Sequence, residues 1–440
     1  MVPSSIILSK RFVALVVLLN LFSMYVLAAA VSAAPRTEGA VQLQAESAIL
    51  MDAESGQVLY QYNSELALPP ASMAKMMTEY LVSKAVKEGK LSWDQTVKVG
   101  ENASKQIGSR IFLAEGDQHT IKELYIAMAV GSANDATAQL AESVAGSEEE
   151  FAKLMNETAK KLGMKNANFI NSTGLDRADM PEKYRPASIA GETVMSAQDA
   201  ALLAYAILKE EPEFLETAKI QKYKFRERDA KPMDNWNWML GSNKNNESLR
   251  KFAYEGVDGL KTGHTSKAGN CFTGTALRNG TRLIAVVMGV PGSTTDGKRF
   301  LETAKLFDYG FNNFEKKTII EAKAAVPEHE TLAVKKGVST KLPVVTASDI
   351  TVLIPKGKAV QPEVQEVKAT QDPLMAPVKT GDKVGTVTYK YKDPSTDQNK
   401  TISVDLIAAE DVDKASWWRL MFRAIKDFFV GLFNGVVNLF

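Results

Sequence analysis

Pro69-Pro70-Ala71-Ser72-Met73-Ala74-Lys75 is the stretch from which the fold is read. Proline favours the first position of a helix, and an apolar helical pattern continues from here to about residue 88. Ser72 and Lys75 are three residues apart, so they share one helical face. Upstream, residues 47–52 and 56–60 form two short apolar runs joined by Glu54-Ser55-Gly56, which reads as a strand pair. Downstream, helical periodicity recurs over residues 121–145, 148–162 and 196–210. Apolar strand-like runs return at 270–277 and 282–289. Strands first, helices in the middle and strands last predict an α+β domain over residues 34–312. A single sheet is then closed by both ends of that segment.

Beyond residue 312 the helix signals fade. Short alternating runs at 350–354, 387–391 and 402–406 are separated by Pro, Gly, Asp and Lys, the pattern of a small all-β module over residues 313–410. The N-terminus carries Lys10 and Arg11, an apolar run over 12–27 and a small-residue exit over 28–34, so residues 1–33 read as a secretory signal peptide. A retained N-terminal anchor is the alternative. Residues 411–440 hold an acidic linker and then a Trp- and Phe-rich segment. Its polar residues Arg419, Arg423, Lys426, Asp427, Asn434 and Asn438 fall on one helical stripe. Two arginines and a Lys–Asp pair do not suit a spanning helix. They suit an amphipathic helix lying in the membrane interface through residues 416–440, with docking on the core as the alternative. The chain is expected to be exported and held peripherally on the outer face of the membrane.

Composition excludes several classes. At 45% hydrophobic and 24% charged residues, the 440-residue chain is globular rather than disordered. Lys+Arg is 53 and Asp+Glu 52, without the basic excess of a generic nucleic-acid binder. Cys271 is the one cysteine, and His119, His264 and His329 are far apart, so no clustered metal site and no cofactor is expected.

Three short motifs carry the chemistry. In the first, a serine hydroxyl needs a base to become a nucleophile, and a desolvated lysine whose pKa has fallen can serve. About two Ser-x-x-Lys matches are expected by chance in such a chain. The second, Ser248 to Lys251, sits in an Asn-rich loop, and Ser72 taken alone reads equally as a helix cap. The second motif is Ser132-Ala133-Asn134, the only Ser-x-Asn, placed after Gly131 ends an apolar helix. A hydroxyl there could relay a proton, and a carboxamide could both donate to and accept from a substrate amide. The third is Lys261-Thr262-Gly263-His264-Thr265. A cation beside a hydroxyl suits a terminal carboxylate, and glycine lets a substrate backbone lie against a strand. Lys379-Thr380-Gly381 repeats the triplet but reads as a turn. The three true motifs occur in order, 60 and 129 residues apart. Such a set is the known active-site signature of penicillin-binding proteins and class A β-lactamases.

On these motifs, and on residues 168–176 (Asn-Phe-Ile-Asn-Ser-Thr-Gly-Leu-Asp) and 257–265, the sequence resembles the low-molecular-mass penicillin-binding proteins. These are serine-type D-alanyl-D-alanine carboxypeptidases of the penicillin-binding protein five type. The resemblance covers essentially the whole chain. It implies a β-lactamase/transpeptidase-like catalytic domain, an antiparallel sheet with flanking helices. It further implies removal of the terminal D-alanine from peptidoglycan stem pentapeptides through an acyl-enzyme on Ser72, with β-lactam antibiotics as covalent inhibitors. Lys75 would be the general base, and Ser132 and Lys261 a proton relay and carboxylate contact. Asn134 would bind the substrate amide and Thr262 the carboxylate. The backbone N–H groups of Ser72 and His264 would form the oxyanion hole, and Gly263 would lie against the substrate backbone. The family's additional basic residue would come from the loop 241–252, as Lys244 or Arg250. Cys271 reads as a packed strand thiol.

Three rival readings compete with this one. A class A β-lactamase needs a deacylating glutamate, and no Glu-x-x-x-Asn lies between residues 140 and 260. A D,D-endopeptidase usually lacks the second domain and tail. A wall-binding protein with vestigial machinery has no reason to keep all three motifs.

Overall fold

The computed structural model describes residues 41–395 and 398–437. The signal peptide read over residues 1–33 lies outside them. The chain divides into two compact units between Asn313 and Phe314.

The first unit is built on one antiparallel sheet. Its strands are β1 (Ser47–Asp52), β2 (Val58–Tyr62), β3 (Val257–Thr265), β4 (Gly269–Arg278) and β5 (Thr281–Val290), in the order β2-β1-β5-β4-β3. The two chain ends of the unit meet where β1 pairs with β5, from Ser47 opposite Met288 to Asp52 opposite Leu283. Every residue of β1 is buried, as expected for a strand covered on both faces. The Asp52 carboxylate fixes the hairpin turn by accepting the Ser55 N–H at 2.9 Å. The strand β3 lies at one edge, paired on one side with β4 so that Lys261 faces Thr273 and Gly263 faces Cys271 across the ladder.

The helices are α1 (Lys75–Lys87), α2 (Ile121–Gly131), α3 (Asn134–Ala145), α4 (Glu148–Lys161), α5 (Ala197–Glu210) and α6 (Lys298–Asn313). Their ends are chemically marked. Thr120 and Glu123 form a reciprocal capping box at α2, as Ser196 and Asp199 do at α5. Ser147 caps α4, whose first turn holds Glu148, Glu149 and Glu150. The periodic run 121–145 is two helices, because Ser132 takes the left-handed conformation (φ 55°, ψ 32°) and ends α2. Ser72 lies in the single tight turn Ala71–Ala74 that precedes α1, so the α-helix begins at Lys75. Helix α6 was not foreseen from the sequence. Its inner face carries Arg299 and Glu302 beside Phe300, Leu306 and Phe307, all buried. Two charged residues on the packed face obscure the apolar stripe by which a helix is recognised.

The second unit contains a six-stranded sheet and a separate two-stranded pair formed by Phe314–Ile320 and Ile350–Pro355. Its core holds Val344, Val387, Tyr389 and Leu406. It ends in the helix α7 (Trp417–Val437), where Trp417, Trp418, Phe422, Phe428 and Phe429 are exposed. Arg423 donates from Nη1 to the Gly337 carbonyl at 3.2 Å. No helix of the described residues is long and apolar enough to cross a membrane.

Phe151 on α4 is fully buried in the main core of the first unit. Phe151→Ala is expected to cost about 3 to 5 kcal/mol through lost burial and the cavity left behind. Urea unfolding followed by near-ultraviolet circular dichroism measures it.

Candidate active site

Four segments converge below the N-terminal end of α1. Pro70 and the turn Ala71–Ala74 place Ser72 partly exposed and Lys75, the first residue of α1, wholly buried. The Lys75 Nζ donates to Ser72 Oγ at 2.9 Å, Asn134 Oδ1 at 2.7 Å and the Thr173 carbonyl at 2.8 Å. Three acceptors use all three donors of an ammonium. Burial, reinforced by the charge of Lys261, nevertheless holds the Lys75 pKa well below its ordinary value. A lysine so depressed can give up its proton near neutral pH and accept one from a serine.

Asn134 opens α3 and is clamped from both ends. Its Nδ2 donates to the Ile107 carbonyl at 2.6 Å, and its backbone N–H to the Ser109 carbonyl at 2.7 Å. Asp135 beside it accepts the backbone N–H of Ile111 and of Leu113, the latter at 3.0 Å, so residues 107–113 are pinned against this motif. Ser132, in its left-handed position, turns its hydroxyl to accept from Lys261 Nζ at 2.9 Å. Lys261 also donates to the Thr262 carbonyl at 3.3 Å. Burial lowers its pKa to about 8, and the Arg299 charge pushes the same way, against the pull of Glu79.

Gly263 lies two residues after Lys261, on the same face of β3. A side-chain carbon built there would stand 2.3 Å from the Pro70 carbonyl oxygen and 3.2 Å from Met73, so only glycine lets the strand close under the Ser72 turn. Thr262 is almost fully buried. His264 is exposed, with Nδ1 3.0 Å from the Gly269 carbonyl, a local contact rather than one to Ser72.

The structure brings the motifs read from the sequence into one region: Lys75 bonds Ser72 and Asn134, Lys261 bonds Ser132, and Gly263 packs against the Ser72 turn. The decoys are not. Ser248 is exposed, and Lys379 donates to Asp411 and Asp413 in the second unit. Lys244 and Arg250 are both exposed, and neither makes a side-chain hydrogen bond or ion pair to the motif residues among the described residues. The buried guanidinium beside the third motif is that of Arg299 on α6. It donates from Nη1 to the Gly263 carbonyl at 2.8 Å and from Nη2 to Asn270 Oδ1. Cys271 is buried, with its thiol pKa pushed up to about 11, an unreactive strand residue.

Sequence reasoning missed Thr173, Arg299 and Glu79. Thr173 contributes only its carbonyl, and the stretch 168–176 that carries it had been noted for resemblance alone. That carbonyl is held in place by side chains. Asn171 Oδ1 accepts the N–H of Thr173 and of Gly174, and Glu148 Oε1 accepts from Ser172 Oγ at 2.7 Å. Gly174 has φ +81°, and a side-chain carbon there would stand 1.9 Å from the Ala71 carbonyl oxygen.

Comparison with known proteins places the chain in a family. Residues 31–292 match the family model described as D-alanyl-D-alanine carboxypeptidase, and residues 314–414 match the penicillin-binding protein 5 C-terminal domain. The Bacillus subtilis D-alanyl-D-alanine carboxypeptidase DacF is 34% identical over 384 residues, spanning 87% of this chain and 90% of the relative. A Streptococcus pneumoniae structure described as a peptidoglycan synthesis regulatory factor (PBP3) superposes with a TM-score of 0.74 at 28% identity. It covers 85% of this chain and all of the other. A penicillin-binding protein of Listeria monocytogenes in its cefotaxime-bound form superposes with a TM-score of 0.52 at 33% identity, over 62% of this chain and 98% of the other.

Gly263→Ala is expected to force β3 away from the Ser72 turn. A shift of about 1 Å at a catalytic centre costs on the order of 10²-fold, so acylation by penicillin should fall by about that factor. The far-ultraviolet circular dichroism spectrum should be unchanged. Rapid-quench intact-mass spectrometry reads the acylation rate.

Proposed function

Because the chain belongs to the D-alanyl-D-alanine carboxypeptidase family of serine peptidases, we propose that it removes the terminal D-alanine from peptidoglycan stem peptides through an acyl-enzyme on Ser72. The observation that carries this reading is the Lys75 Nζ, buried and 2.9 Å from Ser72 Oγ.

The substrate's extended D-Ala-D-Ala end lies along the open edge of β3, adding a short strand to the sheet. Its terminal carboxylate meets Lys261 and Thr262 at one end of the cleft. Arg299, fixed on the Gly263 carbonyl, adds positive potential there and holds the strand end in place. Asn134 contacts the substrate amide. Neutral Lys75 takes the Ser72 hydroxyl proton as Oγ bonds to the carbonyl carbon of the penultimate D-alanine. The oxyanion that forms is stabilised by the backbone N–H groups of Ser72 and His264. The C–N bond breaks, and the proton taken up by Lys75 passes by way of the Ser132 hydroxyl, which Lys261 polarises at 2.9 Å, to the departing amine, leaving Lys75 neutral again. D-Alanine leaves. Water, giving up its proton to the same base, then attacks the ester and releases the shortened peptide.

A β-lactam follows the same first step, but its amine stays tethered to the acyl group. The cefotaxime-bound Listeria relative supports such an adduct here. Residues 1–33 act as an export signal, residues 34–312 as the catalytic domain and 313–410 as the β-rich domain that carries the tail. The exposed aromatics of α7, with Arg419, Arg423 and Lys426 on its other face, hold the exported protein on the outer face of the cytoplasmic membrane.

Ser72→Ala is expected to take up no penicillin by intact-mass analysis and to lose D-alanine release by on the order of 10⁴-fold or more. An adduct persisting on that variant would assign the nucleophile elsewhere. Deleting residues 416–440 should move active protein from the membrane pellet to the supernatant after ultracentrifugation. Retention in the pellet, with the signal peptide removed, would overturn the tail's role as anchor.

A further inference from the structure

Glu79 lies one turn after Lys75 on the same face of α1 and is 1% exposed. Neither of its carboxylate oxygens accepts a hydrogen bond from any described residue. A buried acidic group with no protein donor calls for an explanation, because burying it uncompensated costs several kcal/mol. The other carboxylates around the site are satisfied. Asp135 on α3 accepts backbone N–H groups, Glu148 on α4 accepts from Ser172 and Asn102, and Glu211, just beyond α5, accepts from Ser83. Tyr125 on α2 donates its hydroxyl to the Glu79 carbonyl oxygen at 3.2 Å, not to the carboxylate. The cations facing Glu79 are Lys75 on its own helix and Lys261 on β3, with Arg299 on α6 beyond Lys261.

We propose that Glu79 is a positioning residue of the catalytic centre, a buried carboxyl that shares one proton with the Lys75–Lys261 pair and so sets the pH at which Lys75 can accept the proton of Ser72. The exchange is balanced: a carboxylic acid beside a free amine becomes a carboxylate beside an ammonium. Burial raises the Glu79 pKa to about 8 against the pull of the two lysines, and burial brings Lys261 down to about the same value. Two buried groups of such similar proton affinity exchange a proton between them rather than titrating as separate residues. A carboxylate here favours the ammonium form, so it raises the pH below which acylation fails. Its neutral form has no such effect.

The inference rests on the assignment of Ser72 and Lys75 above, and its test is read from acylation by benzylpenicillin rather than from peptide turnover. The full-length protein in detergent is compared with Glu79→Gln, which keeps the shape and removes the charge. Without the carboxylate, lysine loses proton affinity and the free amine persists to lower pH. The acid limb of the acylation rate should move down by about one pH unit, so that below the limb the variant reacts about tenfold faster than the parent. A residue that merely filled space would change thermal stability and leave the limb where it was. An unmoved or upward-moved limb, in a variant with a full active-site titre, overturns the proposal. Should Glu79→Gln not fold, the parent alone decides by infrared difference titration. Loss of the protonated-carboxyl band should share its midpoint with the acylation limb, and separate midpoints overturn the proposal. A parent that takes up no penicillin overturns both readings. A parent acylated at Ser72 that releases no D-alanine overturns the functional reading alone.

Discussion

The first unit depends on burying one amine. Lys75 is inaccessible to water, and its three acceptors come from three separate parts of the chain: the turn before α1, the start of α3 and the loop carrying Thr173. A buried donor left without an acceptor costs roughly 1 to 3 kcal/mol, more when charged, so each segment is tied to the others by a penalty on leaving. The local devices around the site serve this end. Asn171 and Glu148 fix the loop so that the Thr173 carbonyl points inward. Asp135 and the carbonyls of Ile107 and Ser109 fix the start of α3 so that Asn134 presents Oδ1. The same arrangement that makes the amine tolerable in the interior makes it a base, because burial lowers its proton affinity while the hydrogen bonds keep it aimed at Ser72.

Close approach of backbone to backbone is the second constraint. The loop at Gly174 and the strand at Gly263 press on opposite parts of one turn, against the carbonyl oxygens of Ala71 and Pro70 respectively. Gly174 also lies against Ala74 and Gly263 against Met73, so these contacts flank Ser72 along the chain. Its position is therefore set from both sides by chain segments that have no room for a side chain. A nucleophile held this way needs little reorganisation when it attacks, which is where a positioned group gains most over the same group in solution.

What was legible in the sequence divides along physical lines. Ser72, Lys75, Ser132, Asn134 and Lys261 announce themselves because their side chains do the work and their local spacing is fixed by helix or strand geometry. The sheet closed by β1 and β5 follows from apolar runs at both ends of the unit. The Thr173 carbonyl carries no signature, since any residue has one. Arg299 and Glu302 hid α6 because charged residues are read as solvent-facing, yet both are buried here. Arg299 finds its acceptors in the Gly263 carbonyl and in Asn270, more than 25 residues back along the chain. Lys244 and Arg250, the loop residues that the resemblance offers, are exposed, whereas Arg299 reaches the third motif from a helix that follows it in the chain. Glu79 is ordinary in a helix and becomes unusual only when its burial and lack of donors are seen together.

The balance of charge inside the site gives the cleft its polarity. Lys75, Lys261 and Arg299 are buried basic groups, and Asp135, Glu148 and Glu79 are the buried acids nearest them. Asp135 and Glu148 are engaged by backbone and side-chain donors that hold loops, which leaves less of their charge to neutralise the basic groups. Lys75 is turned inward toward three oxygens, whereas Lys261 and Arg299 lie along β3, where a substrate strand adds. The excess positive potential therefore falls at the end of the cleft to which the proposed mechanism assigns the terminal carboxylate, and in a low-dielectric setting that attraction is not screened as it would be at the surface. A peptide lacking a free carboxylate loses that term while keeping its strand-like hydrogen bonds. On the proposed mechanism, a preference for a chain end over a chain interior follows from where these charges are buried.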